Sequence, residues 1–163
     1  MIDDLELLRP PDRNAWRGWL EAHHDSAPGC WLVLPKRGGD GVAYADAVEE
    51  ALCFGWIDGR TRPQDDLYRR QHFAPRKKGG NWARSNKERV ERLEAAGLMT
   101  DAGRTVIEAA KADGSWNALD DVEALVVPDD LAAALATNPQ AQTTFEGFAA
   151  SAKQLYLWWI KSA

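Results

Sequence analysis

Cysteine is nearly absent from this chain of 163 residues, which has only Cys30 and Cys53. Neither belongs to a CxxC or Cys/His spacing, and both lie inside apolar stretches, so two buried free thiols are expected rather than a disulfide, a metal site or a nucleophile. The three histidines, His23, His24 and His72, lack partners at ligand spacing, so no metal is expected. The sequence also lacks GxSxG, HExxH, a P-loop and GxGxxG. Their absence removes the nucleotide-hydrolysing enzymes of known type and leaves no cofactor to expect. No run approaches the roughly 18 consecutive apolar residues of a membrane span. The start, Met1-Ile2-Asp3-Asp4, is acidic where a signal peptide is basic, which points to a cytoplasmic protein. There is no internal repeat and no low-complexity tract.

What the chain does have is a 45% hydrophobic composition, enough for a compact core, and an uneven distribution of charge. From Arg60 to Arg92 eleven Lys and Arg stand against Asp65, Asp66, Glu88 and Glu91, an excess of +7 in a chain whose net charge is −5. Such asymmetry suggests an anionic partner or an internal acidic face. The plainer reading is a set of cations solvated or paired on helix surfaces.

Asp12 can cap a helix with the stripe Ala15, Trp16, Trp19, Leu20 and His23. Cys30 to Leu34 reads as a buried strand closed by Pro35. Tyr44, Ala47, Val48, Ala51 and Leu52 form a second helical stripe, stopped by Gly55 as a left-handed cap. Trp56 to Arg62 and Leu67 to Phe73 are β-rich runs joined by Pro63-Gln64-Asp65-Asp66, a hairpin signal. Ser85 with Glu88 has capping-box spacing, and Thr100 and Asn138 are further caps. Helices are expected over Asp129 to Ala136, Pro139 to Glu146 and Ser151 to Lys161. The inward stripe of the last is Ala152, Leu155, Tyr156, Trp159 and Ile160, with Trp158 off it. This order gives an α+β fold, a small, mostly antiparallel sheet packed against helices, with an α+β domain over 1–116 and a helical C-terminal segment over 117–163.

Ala51-Leu52-Cys53-Phe54-Gly55-Trp56-Ile57-Asp58-Gly59, followed by Phe73-Ala74-Pro75-Arg76, Asn81-Trp82 and Asn86, resembles the core motif of the YdeI/OmpD-associated, or bacteriocin-protection, family of bacterial proteins. Gly29-Cys30-Trp31-Leu32 upstream, and Gly97-Leu98-Met99-Thr100 with Ala102-Gly103 downstream, extend the resemblance. Val127 to Leu131, and on through Ile160, resembles that family's C-terminal segment. The chain departs from the pattern at Ala83, where the family usually has Ser, and the family usually continues past the position of Ala163 into a basic helix. The resemblance implies an α+β domain of the YjbR/CyaY-like kind and carries no reaction.

The residues that could hold a ligand are Trp56, Asp58, Arg60, Tyr68, Arg70, His72, Arg76, Trp82 and Asn86. Planar rings beside guanidinium groups hold anions that carry a base or ring by stacking and charge together, so an anionic small molecule or nucleic acid is the partner to test. Against this, Trp56, Phe73 and Trp82 suit a core, and Asn86 suits the first turn of a helix. Two hairpin registers compete. Pairing Arg62 with Leu67 aligns Trp56 with Phe73 and sets Asp58 opposite Gln71. A one-residue shift sets Asp58 opposite His72 and offers an acid and a histidine for proton transfer. Aligning two aromatics favours the first, and the plainer reading of Asp58-Gly59 is a turn or bulge with the acid hydrogen-bonded to backbone or to Arg76. Three readings stay open: an anion-binding protein, a small enzyme using Asp58 or His72 as acid/base, and an interaction module that self-associates through its C-terminal helices.

Overall fold

The computed structural model describes residues 2–163, apart from the side chain at position 3. A short 3-10 turn, Ile2–Asp4, leads to β1 (Leu7–Leu8), α1 (Arg13–His23), β2 (Cys30–Pro35), α2 (Tyr44–Cys53), β3 (Trp56–Pro63) and β4 (Tyr68–Pro75). Helices follow: α3 (Arg84–Ala95), α4 (Asp101–Asp113), α5 (Asp120–Glu123), α6 (Asp129–Ala136), α7 (Pro139–Glu146) and α8 (Ala150–Ser162). The fold is α+β. Its sheet has the order β1-β2-β4-β3, parallel between β1 and β2 and antiparallel elsewhere.

Alternation along the strands decides which side chains enter the core. Cys30, Leu32 and Leu34 of β2 and Phe73 of β4 join Trp16, Leu20, Ala47, Val48, Leu52 and Trp56 in one buried cluster. The Trp16 indole donates to Ala47 O at 3.1 Å and the Trp56 indole to His24 O at 3.0 Å, so two large rings are buried with their N–H groups satisfied. Trp31 and Val33 point to the other face of the sheet and, though buried, stand outside that cluster. Trp31 is covered there by Arg62, whose guanidinium lies 5.2 Å from its ring centroid, and by His72 at 5.5 Å, and its indole donates to Ile2 O.

Asp12, Thr100 and Asn138 cap α1, α4 and α7 with their side chains. Gly55, at φ +74°, ends α2. The capping box at Ser85 does not form. The N-cap lies two residues earlier, at Ala83, and the first free amide of α3, Arg84 N, donates instead to both carboxylate oxygens of Glu123 at 3.1 and 3.0 Å. A carboxylate from α5 meets the positive end of α3 and serves as the cap. The Lys87–Asp120 ion pair ties the same two helices.

The hairpin adopts neither expected register. Trp56 pairs with Pro75 and Asp58 with Phe73, whereas Thr61 pairs with Gln71 and Arg62 with Arg70, so a bulge at Gly59–Arg60 shifts the ladder. The cause is Gln71, only 2% exposed. Its amide donates to Gly59 O at 2.9 Å and its carbonyl accepts from the Thr61 hydroxyl at 2.6 Å. The side chain thus replaces the ladder bonds that the bulge removes.

The stripe expected to face inward on α8 is also corrected. Leu155 and Trp159 are 67% and 68% exposed, and Leu157 is the residue that is buried. Six consecutive apolar residues, Leu155 to Ile160, make periodicity uninformative here, and the anchoring contacts decide the face: Lys161 to Asp121, Lys153 to Glu146 O, and Tyr156 stacked on Phe148. No helix among the described residues is long and apolar enough to cross a membrane.

Candidate functional site

Of the four cations on α3, two find carboxylate partners, Lys87 with Asp120 and Arg92 with Glu49, and Arg89 donates to Asn86. The hairpin cations differ. Among the described residues Arg60, Arg69, Arg70 and Arg76 have no carboxylate at ion-pair distance, although Arg13, Arg17 and Arg104 elsewhere all do. The Nε of Arg69, the Nε of Arg70 and Nη1 of Arg76 are buried without a hydrogen bond. Uncompensated charge therefore concentrates on the sheet and the loop after it.

Arg76 is the centre of this region. Its backbone N–H donates to Gly55 O at 3.0 Å, which fixes the end of β4 to the end of α2. Its guanidinium lies 3.7 Å from the centroid of Trp82, and Nη2 donates to Asn81 O at 2.8 Å. Trp82 is itself buried and packs on Trp116, so the surface carrying the guanidinium is rigid. Burial pushes the Arg76 pKa down to about 10, with Asp58 partly restoring it. The group remains charged at neutral pH, in a place that penalises its charge.

Beside Arg76 opens a cleft of about 340 Å³, lined by Ile57, Asp58, Gly59, His72, Ala74, Pro75, Lys77, Gly80 and Asn81. The bulge sets its geometry. Asp58, on the same face as Phe73, reaches α2, where its Oδ2 accepts from the Tyr44 hydroxyl at 2.6 Å. Burial and that bond push the Tyr44 pKa up to about 12, so the phenol stays a donor. Arg69 lies over the Tyr44 ring at 5.1 Å.

His72 sits between two glycines. A Cβ at Gly59 would lie 2.7 Å from Nδ1, and one at Gly29, whose φ is +149°, would lie 3.2 Å from Nε2. A side chain at position 59 would have to displace the imidazole. Burial, and then the charge of Arg60, holds the His72 pKa below its ordinary 6.5, so the ring is neutral at pH 7. Neither ring nitrogen has a hydrogen-bond partner among the described residues, whereas Nδ1 of His23 and of His24 each meets a backbone carbonyl.

Asp58, His72 and Arg76 thus all line the cleft, with Trp82 beneath Arg76, but the Asp58 side chain turns to the Phe73 face of the sheet and the His72 ring to the Trp31 face. Trp56 is in the core, where it holds β3. Tyr68, under Arg9 at 4.1 Å, and Arg70 lie on the Trp31 face of the sheet together with His72. Arg60 is exposed at the bulge. Asn86 accepts from Arg89 at 3.0 Å in the first turn of α3. Tyr44 was not singled out from the sequence as a site residue. For Tyr44 the available signal was a polar-tipped ring at the first turn of an otherwise apolar stripe.

Other chemistry is poorly provided for. Burial pushes the Cys30 and Cys53 thiols up to about 12 and about 11, so both stay protonated and inert. Among the described residues no three His, Cys, Asp or Glu side chains gather where they could hold a metal ion.

Residues 8–106, which contain the whole cleft, match the model of a domain family of unknown function, DUF8412. Residues 124–163 match the model described as bacteriocin-protection, YdeI or OmpD-associated. No curated protein and no solved structure matches the chain.

Proposed function

We propose that this chain, which belongs to the DUF8412 family, binds a small anionic ligand in the cleft between the β3–β4 hairpin and the loop from Arg76 to Asn81. The observation that carries this reading is Arg76, a guanidinium held on Trp82, largely removed from water and with no ion pair among the described residues. A cation in that state costs folding free energy, and an arriving anion recovers it at a strength that bulk water would not allow. Lys77 adds charge at the rim, and Ile57, Ala74 and Pro75 give an apolar wall. The volume is at the small end of ligand sites, which favours a metabolite over a nucleic-acid strand.

Thermal unfolding with inorganic phosphate, a sugar phosphate and a short single-stranded oligonucleotide, each at two salt concentrations, tests this reading. The small anions should raise the midpoint of the parent protein and leave Arg76→Gln unmoved. Stabilisation only by the oligonucleotide, with a steep salt dependence, would transfer the function to the cationic sheet face.

A second reading, an enzyme acting on the same anion with His72 or Asp58 as acid/base, is favoured by one observation: the imidazole is neutral and has no hydrogen bond to hold its protons in place. Turnover of a bound anion that disappears in His72→Gln while binding persists would establish it.

A further inference from the structure

We propose that the open face of the sheet, on which Trp31, Tyr68, Arg70 and His72 lie, is a docking surface for single-stranded nucleic acid. This surface is separate from the anion cleft: the strand crosses β2 and β4, and Arg76 takes no part.

The register builds the surface. Trp31 and Val33 of β2 pair with His72 and Arg70 of β4, and Arg62 of β3 pairs with Arg70 from the other side. Paired residues point the same way, and alternation adds Tyr68, so Tyr68, Arg70 and His72 form a row along a central strand of the sheet. Helices α1 to α4 send their buried apolar side chains to the opposite face, where they join Leu32 and Phe73 in the main cluster. Asp58, the only acid in the four described strands, is on that opposite face too. Asp4 and Glu6 precede β1, at the edge of the sheet.

Guanidinium groups, not a helix, cover the rings of this face. Arg9 lies 4.1 Å from the Tyr68 centroid and Arg62 5.2 Å from that of Trp31. A guanidinium over a ring keeps N–H donors for a phosphate and a planar face for a base. Arg70, between Tyr68 and His72, has its Nε buried without a hydrogen bond, and Arg9, Arg60 and Arg70 have no carboxylate at ion-pair distance among the described residues. After burial, the charge of Arg60 lowers the His72 pKa, so a further cation stands near that ring.

These features select the occupant. Several cations on a face whose strands contribute no acid attract a polyanion. A flat sheet has no helix or ribbon to enter a duplex groove, whereas a four-stranded sheet with rings on its central strands is a platform for unstacked bases. A lipid surface takes projecting apolar side chains, and here the rings lie under guanidinium groups.

The test is fluorescence anisotropy of labelled oligothymidylate and oligouridylate, about 12 nucleotides long, with the full chain at about 50 and 200 mM salt. Neutralising three phosphates, at Arg9, Arg60 and Arg70, gives a roughly twenty-fold loss of affinity between the two. Arg70→Gln should weaken binding and flatten the salt dependence by about one phosphate contact. Arg9→Gln, at the exposed edge, should do the same without touching the centre of the sheet. Tyr68→Leu should weaken binding roughly fivefold or more and leave the salt dependence as it is. Circular dichroism and the urea midpoint check that each variant folds. Arg104→Gln, on α4, and Arg76→Gln should bind as the parent does. Preference for either sugar supports the inference. It is overturned if neither oligonucleotide binds in a salt-sensitive way, or if Arg9→Gln and Arg70→Gln both leave affinity and salt dependence unchanged. It is equally overturned if Arg76→Gln abolishes binding, which puts the strand in the cleft, or if phosphatidylserine vesicles or polyglutamate bind as well as the oligonucleotides. Failure of small anions to bind at Arg76 would sink the cleft reading and leave this one standing.

Discussion

Replacing Arg76 by Met separates the cost of the site from its use. The fall of the Arg76 pKa from 12.5 to about 10 corresponds to ~3 kcal/mol spent on keeping the charge where it is. Against that stand one hydrogen bond from the charged group to Asn81 O, worth ~1.5 kcal/mol, and the contact with Trp82, worth ~1 kcal/mol. Methionine keeps a flexible apolar chain on the Trp82 ring. The terms nearly cancel, so Arg76→Met should unfold in urea within ~1 kcal/mol of the parent, and on the stable side. Had Arg76 been half of a buried ion pair, its loss would cost ~3 to 5 kcal/mol. Unfolding followed by tryptophan fluorescence, without and with a saturating anion, reads both halves of the argument. At a hundred times the dissociation constant the anion should add ~2.7 kcal/mol to the parent and nothing to Arg76→Met. A variant that loses 3 kcal/mol or more, or that keeps the anion-induced gain, would refute the reasoning.

Three further outcomes follow from the same structure. Because the folded state holds His72 below its ordinary 6.5, the unfolded chain takes up the proton first on acidification. The stability associated with the neutral ring is therefore complete above pH 6.5 and declines as pH falls through the lowered value. Urea midpoints at pH 7.5 and 5 should differ less in His72→Gln than in the parent. Gln71→Ala removes the clamp on the bulge and leaves Gly59 O without its partner, which should cost ~1 to 3 kcal/mol and expose the Thr61 and Arg62 amides to faster hydrogen exchange. Trp56→Ala should cost ~3 to 5 kcal/mol in the same unfolding assay, since the ring is 1% exposed in the core.

Most of the fold was legible in the sequence because its signals are local. Asp12, Thr100 and Asn138 cap helices by reaching amides three residues on, and the unbroken apolar run Cys30 to Leu34 marks a buried strand whatever its partners. The hairpin register was not legible, because it depends on Gln71 reaching across to Gly59, a contact that only the paired strands create. The true cap of α3 is likewise distant: Glu123 lies 39 residues after the amide it accepts. The face of α8 was misread because Leu155 to Ile160 is apolar all round. In the site, aromatic and cationic spacing brought out Asp58, His72, Arg76 and Trp82. Tyr44 required the tertiary structure, since nothing in its own segment reveals that its hydroxyl meets Asp58.

The most direct test of the central claim is an arginine side-chain nitrogen NMR spectrum recorded during a titration with ribose 5-phosphate. The account predicts that the Arg76 Nε–Hε signal, assigned by its loss in Arg76→Met, shifts saturably at concentrations where Arg62, Arg70 and Arg89 stay still. Uniform small shifts of all the hairpin arginines, or an Arg76 signal that never moves, would contradict it.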